Sequence, residues 1–258
     1  MVISTETWGR HLLYKELPDA LALVDGAVLC ALLAGDRFLL PNSPVDELHP
    51  ISFTFSLFGR ETPLYLQHLL EPLLPAGVLA LRRIYEFAGI KGDHSGGVCV
   101  SLPSSSKQRK DDLRIESLDK TARIDPNMLG RLSFVVRDTT GSEVAMIKGS
   151  DAIGGVLTNA NKTVSHMTAT FDTTRSQILN IYIAAAIVRE YLNLKFEDIQ
   201  VPDATSRTTP WTFRLPEDLR EVYEEFCREV SKAITIALDE KEARVHIEIF
   251  QKVELTAK

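Results

Sequence analysis

The sequence predicts an α+β fold: mostly antiparallel sheet or sheets packed by several helices, with a helix-rich N-terminal part. Three observations carry that expectation. Apolar residues recur at helical spacing in four stretches, around residues 17–34, 76–88, 178–194 and 219–239. Period-two alternation marks strands around 51–58, 98–102, 132–148 and 245–253. No repeat of 20–50 residues runs through the chain, which sets solenoids and propellers aside.

The elements follow in order. Leu17-Pro18-Asp19-Ala20-Leu21 puts a proline and an acid in a first helical turn, where a missing N–H costs nothing and negative charge suits the dipole. That helix is expected to run to about Ala34 and stop at Gly35. Ile51, Phe53, Phe55 and Leu57 alternate with Ser52, Thr54, Ser56 and Phe58, as in a half-buried strand. Thr62-Pro63 reads as the opening of a helix that Pro72 ends. A second helix fits Ala76 to Ala88, with Gly89 at the left-handed stop position.

From Gly97 the texture turns to strands, beginning with Val98, Val100 and Leu102. Pro103 to Asp112 is the most loop-like stretch. Leu132 to Arg137 and Val144 to Lys148 predict a hairpin turned at residues 138–142. Three glycines and two asparagines between Gly149 and Asn161 predict a loop or irregular turn, and Thr163 to Phe171 another strand. Thr174 followed by Gln177 is a capping-box pattern before a helix from Ile178 to Leu194, apolar on nearly every side. Leu215-Pro216-Glu217-Asp218-Leu219 repeats the earlier helix start, and apolar spacing continues to Asp239. Val245, Ile247, Ile249, Gln251 and Val253 form a closing strand, with Arg244, His246, Glu248 and Lys252 on its other face. The 258 residues are expected to form a single globular unit, with subdomains 1–95 and 113–258 joined through a mobile loop, 103–112.

Composition narrows the class further. The chain is 45% hydrophobic and 25% charged, with a formal net charge of −6. These fractions exclude disordered, collagen-like and disulfide-framework classes. Cys30, Cys99 and Cys227 are odd in number and far apart, which points to buried, reduced thiols and an intracellular, cytoplasmic setting. The first eight residues carry an acid and no basic region before an apolar stretch, unlike a secretory signal. Asn161-Lys162-Thr163 fits the glycosylation pattern but lacks a secretory route. Residues 20–35 are interrupted by Asp25 and Gly26, and residues 178–188 contain Asn180. Neither reaches the roughly 18–20 apolar residues of a membrane span.

Chemical motifs are weak. Gly92-Asp93-His94-Ser95-Gly96-Gly97 is similar to the Gly-Asp-Ser-Gly-Gly string around the nucleophile of trypsin-like proteases, but His94 breaks the spacing on which an oxyanion hole depends. A turn joining a helix to the strand at Val98 accounts for it as well. His94 and Ser95 are therefore only weak catalytic candidates. Lys162-Thr163 lacks the glycines of a phosphate-binding loop, since Val156 and Asn161 hold those places, and no dinucleotide fingerprint occurs. The six histidines and three cysteines include no metal-ligand spacing, so no metal and no cofactor is expected.

Lys107, Arg109, Lys110, Arg114, Lys120 and Arg123 cluster, but Asp111, Asp112, Glu116, Asp119 and Asp125 interleave with them. A nearly neutral segment releases few counterions from a nucleic acid. Nucleic acid and membrane surfaces are thus not indicated as partners. The clearest polarity lies between Pro216 and Glu240, where eight acids face three bases, a net of −5. A solvated helix face explains this; the sharper reading is a docking surface for a basic partner, with Glu221, Glu224 and Glu225 at its centre and Trp211 as an aromatic anchor in a contact loop.

The expectation is a non-enzymatic assembly or protein-interaction protein, associating with itself or with another protein. A structural subunit such as a viral matrix or coat-like protein, carried in a virion, belongs to this class. The alternatives are a small-molecule-binding protein or hydrolase-type enzyme with a site near His94 and Ser95, and a nucleic-acid-binding protein. Residues 1–50 and 191–258 each carry −4 and residues 51–190 carry +2, a small asymmetry that would let one copy's end meet another's middle and is a reason to test self-association.

Overall fold

The computed structural model describes residues 17, 19–21, 23–26, 28, 52–57, 60–92, 99–101, 115–119, 121–138, 140–165, 175–196 and 217–248. Within them the protein is α+β. The described positions among 17–28 are all helical (α1). They are followed by β1 (Ser52–Leu57), β2 (Arg60–Tyr65), α2 (Leu66–Phe87), β3 (Ile90–Gly92) and β4 (Cys99–Ser101). A 3-10 turn at Ile115–Ser117 leads to α3 (Pro126–Arg131), β5 (Leu132–Arg137), β6 (Glu143–Lys148), α4 (Gly149–Ser165), α5 (Arg175–Lys195), α6 (Glu217–Leu238) and β7 (Ala243–Glu248). The strands form two two-stranded sheets, β1-β2 and β3-β4, and one of three strands ordered β6-β5-β7. Three of the four pairings are antiparallel, and β7 lies parallel to β5.

Several expectations hold: β1, the end of α2 at Gly89 (φ +89°), the β5–β6 hairpin, α5, α6 and the first part of the closing strand, β7, whose expected continuation over 249–253 lies outside the described residues. The hairpin turn is knotted by Asp138. Its carboxylate accepts from the Thr140 N–H at 2.8 Å, the Thr140 hydroxyl at 2.6 Å and the Ser142 N–H at 3.0 Å. Gly141 supplies the left-handed residue at φ +82°.

The helix expected from Thr62 to Pro72 is instead two elements. Thr62 and Pro63 lie in β2, where Pro63 faces Thr54 of β1. A two-stranded sheet has only edge strands, so a missing N–H is tolerated there. Helix α2 then begins at Leu66 and continues through Pro72 and Pro75. Each proline costs a helix roughly 3 kcal/mol. Against this stand Leu74, Val78, Leu81, Ile84 and Tyr85, a helical stripe with every member buried. At roughly 1.5–3 kcal/mol per large side chain, that burial outweighs the prolines.

The loop expected from Gly149 to Asn161 is helix α4, and the strand expected from Thr163 begins inside that helix; its remainder, 166–171, lies outside the described residues. Ala152, Ile153, Val156, Leu157 and Ala160 share one buried helical face. The glycines mark close approach rather than a turn. A Cβ on Gly155 would stand 2.5 Å from the Asn180 Nδ2 of α5, and one on Gly149 only 2.9 Å from the Leu129 carbonyl oxygen. Gln177 of the proposed capping box is buried, and its amide donates across to the Gly155 carbonyl at 3.3 Å.

Helix α5 is the hub. Residues 181–188 are all buried, and the helix packs against α4, α6 and α2. Its polar edges are tied to neighbours: the Tyr85 hydroxyl donates to the Ala184 carbonyl at 2.7 Å, and the Tyr191 hydroxyl to that of Arg123 at 2.9 Å. Apolar spacing does not predict the short helix α3, whose start is marked by Asp125, accepting the Asn127 N–H at 2.9 Å, and by Pro126 as its first residue.

Candidate docking groove

The C-terminal unit of α6 and β7 builds the site. Helix α6 closes in a double hydrogen-bonded stop, with Glu240 N–H donating to the Ala237 carbonyl at 3.2 Å and Lys241 N–H to that of Ile236 at 3.3 Å. Glu240 takes the left-handed position, φ 62°, usually held by glycine. The Arg131 guanidinium satisfies the Ala237 carbonyl again at 3.3 Å. The chain therefore reverses within residues 239–242, and β7 runs back beneath the helix that precedes it.

A strand advances about 3.3 Å per residue and a helix about 1.5 Å. Four residues along β7, from Ala243 to Ile247, thus match roughly nine along α6 and bring His246 and Ile247 level with residues 226–229. Strand alternation sends Ala243, Val245 and Ile247 into the core and leaves Arg244 and His246 exposed. On the helix, Tyr223, Phe226, Cys227, Val230, Ala233, Ile234 and Ala237 face inward. Glu221, Val222, Glu224, Glu225, Arg228 and Glu229 face out.

Between them opens a groove of about 770 Å³. Tyr182 of α5, Phe226 and Ile247 make its apolar floor, and Glu221, Glu224, Glu225, Glu229, Arg228 and His246 its rim. The floor is a stacked aromatic cluster: Tyr182 lies over Phe226 at 4.4 Å, with ring planes 18° apart. Tyr223 meets Tyr182 at 5.6 Å, and Phe134 of β5 meets Phe226 at 6.2 Å. On the rim, Arg228 pairs with Glu225 and Lys232 with Glu229, both one turn apart on the helix. The Arg228 hydrogen bond and then its charge hold the Glu225 carboxyl below the usual carboxylate range.

The groove's third feature is backbone. β7 pairs with β5 on one side only, so among the described residues it is an edge strand, and the groove meets it at His246 and Ile247.

Behind the floor sits a second set of polar groups. Asp25 of α1 and Arg189 of α5 form a mostly buried ion pair at 2.7 Å. Burial works against the Arg189 charge, but the Asp25 carboxylate above all overcomes it and keeps the guanidinium protonated. The Arg189 guanidinium also lies 6.0 Å from the Tyr223 ring centre. Among the described residues the Tyr223 hydroxyl is buried with no regular hydrogen-bond partner, and the Cys227 thiol lies beside it. Burial, and then the Glu190 carboxylate, push that thiol up to about 12. Such a thiol is protonated and inert at neutral pH.

The expected interaction residues divide accordingly. Glu221, Glu224 and Glu225 come together on the rim. Trp211, His94 and Ser95 lie outside the described residues, as do residues 102–114. The flanks of His94 and Ser95 are described, however: Gly92 of β3 faces Cys99 of β4, so this segment joins two strands rather than a helix and a strand. The sequence did not reveal Tyr182 as a partner of Phe226, nor His246 as a rim residue. Helical and strand periods mark each one's face but not which faces meet. Among the described residues, no three His, Cys, Asp or Glu side chains converge as ligands for a metal. Among those residues, too, no helix is long and apolar enough to cross a membrane.

Among the described residues, an acid-rimmed groove beside α6 and the end of β7 is thus the main surface feature of an α+β chain. No protein-family model, curated protein or solved structure matches the chain.

Proposed function

We propose that the chain is a non-enzymatic assembly or protein-interaction protein, and that the α6–β7 groove is its docking surface. One observation carries the reading: the acidic residues of α6 border an aromatic floor instead of standing on an isolated solvated face. Aromatic anchors within a polar rim are the usual anatomy of an interface. An intracellular, cytoplasmic setting belongs to the same reading and is supported by the free, buried Cys227. So does a role as a structural subunit of the matrix or coat-like kind, in a virion if the source is viral.

The test is mass. Light scattering after size exclusion, over a hundredfold range of concentration, is expected to show species above 28.8 kDa, alone or with a partner. The double variant Glu221→Lys/Glu225→Lys should lose them while keeping its helical circular dichroism. A constant monomer mass with no partner recovered would remove the proposal.

A further inference from the structure

We draw no further inference here: the strongest candidate, the surface patch on strand β6 where Val144 and Met146 are exposed, carries nothing because nothing in the structure shows what covers it and the charged residues at its two ends, Glu143 and Lys148, already pair with Arg137 and Glu242.

Discussion

At the scale of single residues, two glycines separate packing from propensity. Gly149 and Gly130 are both helical, so alanine should help each by reducing the freedom of the unfolded chain. A Cβ on Gly130 meets nothing within 4 Å, whereas one on Gly149 meets the Leu129 carbonyl at 2.9 Å, Leu132 at 3.2 Å and Ile187 at 3.3 Å. Gly130→Ala is expected to stabilise the protein by about 0.4–1 kcal/mol. Gly149→Ala should destabilise it by about 1–3 kcal/mol through overpacking. Urea titration of the two variants decides it; the same sign for both would contradict the packing described at α4.

The Asp25–Arg189 pair is the other residue-scale lever. Its partners are only 13% and 17% exposed, so removing one leaves a charge in a poorly solvated place. Arg189→Ala should cost about 3–5 kcal/mol. Asp25→Leu combined with Arg189→Met should recover most of it, which chemical denaturation of the three variants measures. This pair was not legible in the sequence. Its members stand 164 residues apart, and Asp25 read simply as an interruption of an apolar run.

At the scale of elements, the α5–α6 interface should respond to alkali. Burial raises Tyr182, Tyr223 and Cys227 together, the thiol to about 12 against an ordinary 9.0. A group whose folded value is raised contributes stability that is whole below the unfolded value and lost as pH climbs through the folded one. The thiol's share is therefore intact below pH 9 and disappears between about pH 9 and 12. Phenolate absorbance and loss of helical circular dichroism should rise together in that window. Free titration of every tyrosine near pH 10 with the helices intact would show that the interface is open to water.

The elements also show where sequence reasoning stops. Residues 132–148 and 217–238 were readable because their apolar period and turn residues agree with their tertiary surroundings. Residues 149–161 were not, because glycine and asparagine there serve helix contacts, which local pattern cannot distinguish from a turn. Thr62-Pro63 failed for a related reason: proline permits both a helix start and an edge strand, and only pairing with β1 chooses between them. Of the groove, the acidic rim could be read from α6 alone. The floor could not, since Tyr182, Phe226 and Ile247 come from three separate elements.

At the scale of the whole molecule, one buried apolar cluster draws on residues from Leu17 to Ile247. One of its long-range links is the parallel pairing of β7 with β5. Strand β5 buries Leu132, Phe134, Val135 and Val136 in the finished protein. During synthesis its hairpin partner follows at once, but β7 comes only after residues 149–242. At about 5–20 residues per second, those residues take roughly 5–20 s to make. For that interval one whole side of an apolar strand has no partner. Ribosome-stalled chains released before Ala243 should therefore bind holdase chaperones through Leu132–Arg137, and chains released with Glu248 clear of the ribosome should not. The strand that walls the groove is thus also a timing device: the longest hazard in the life of this sheet ends when its last strand arrives.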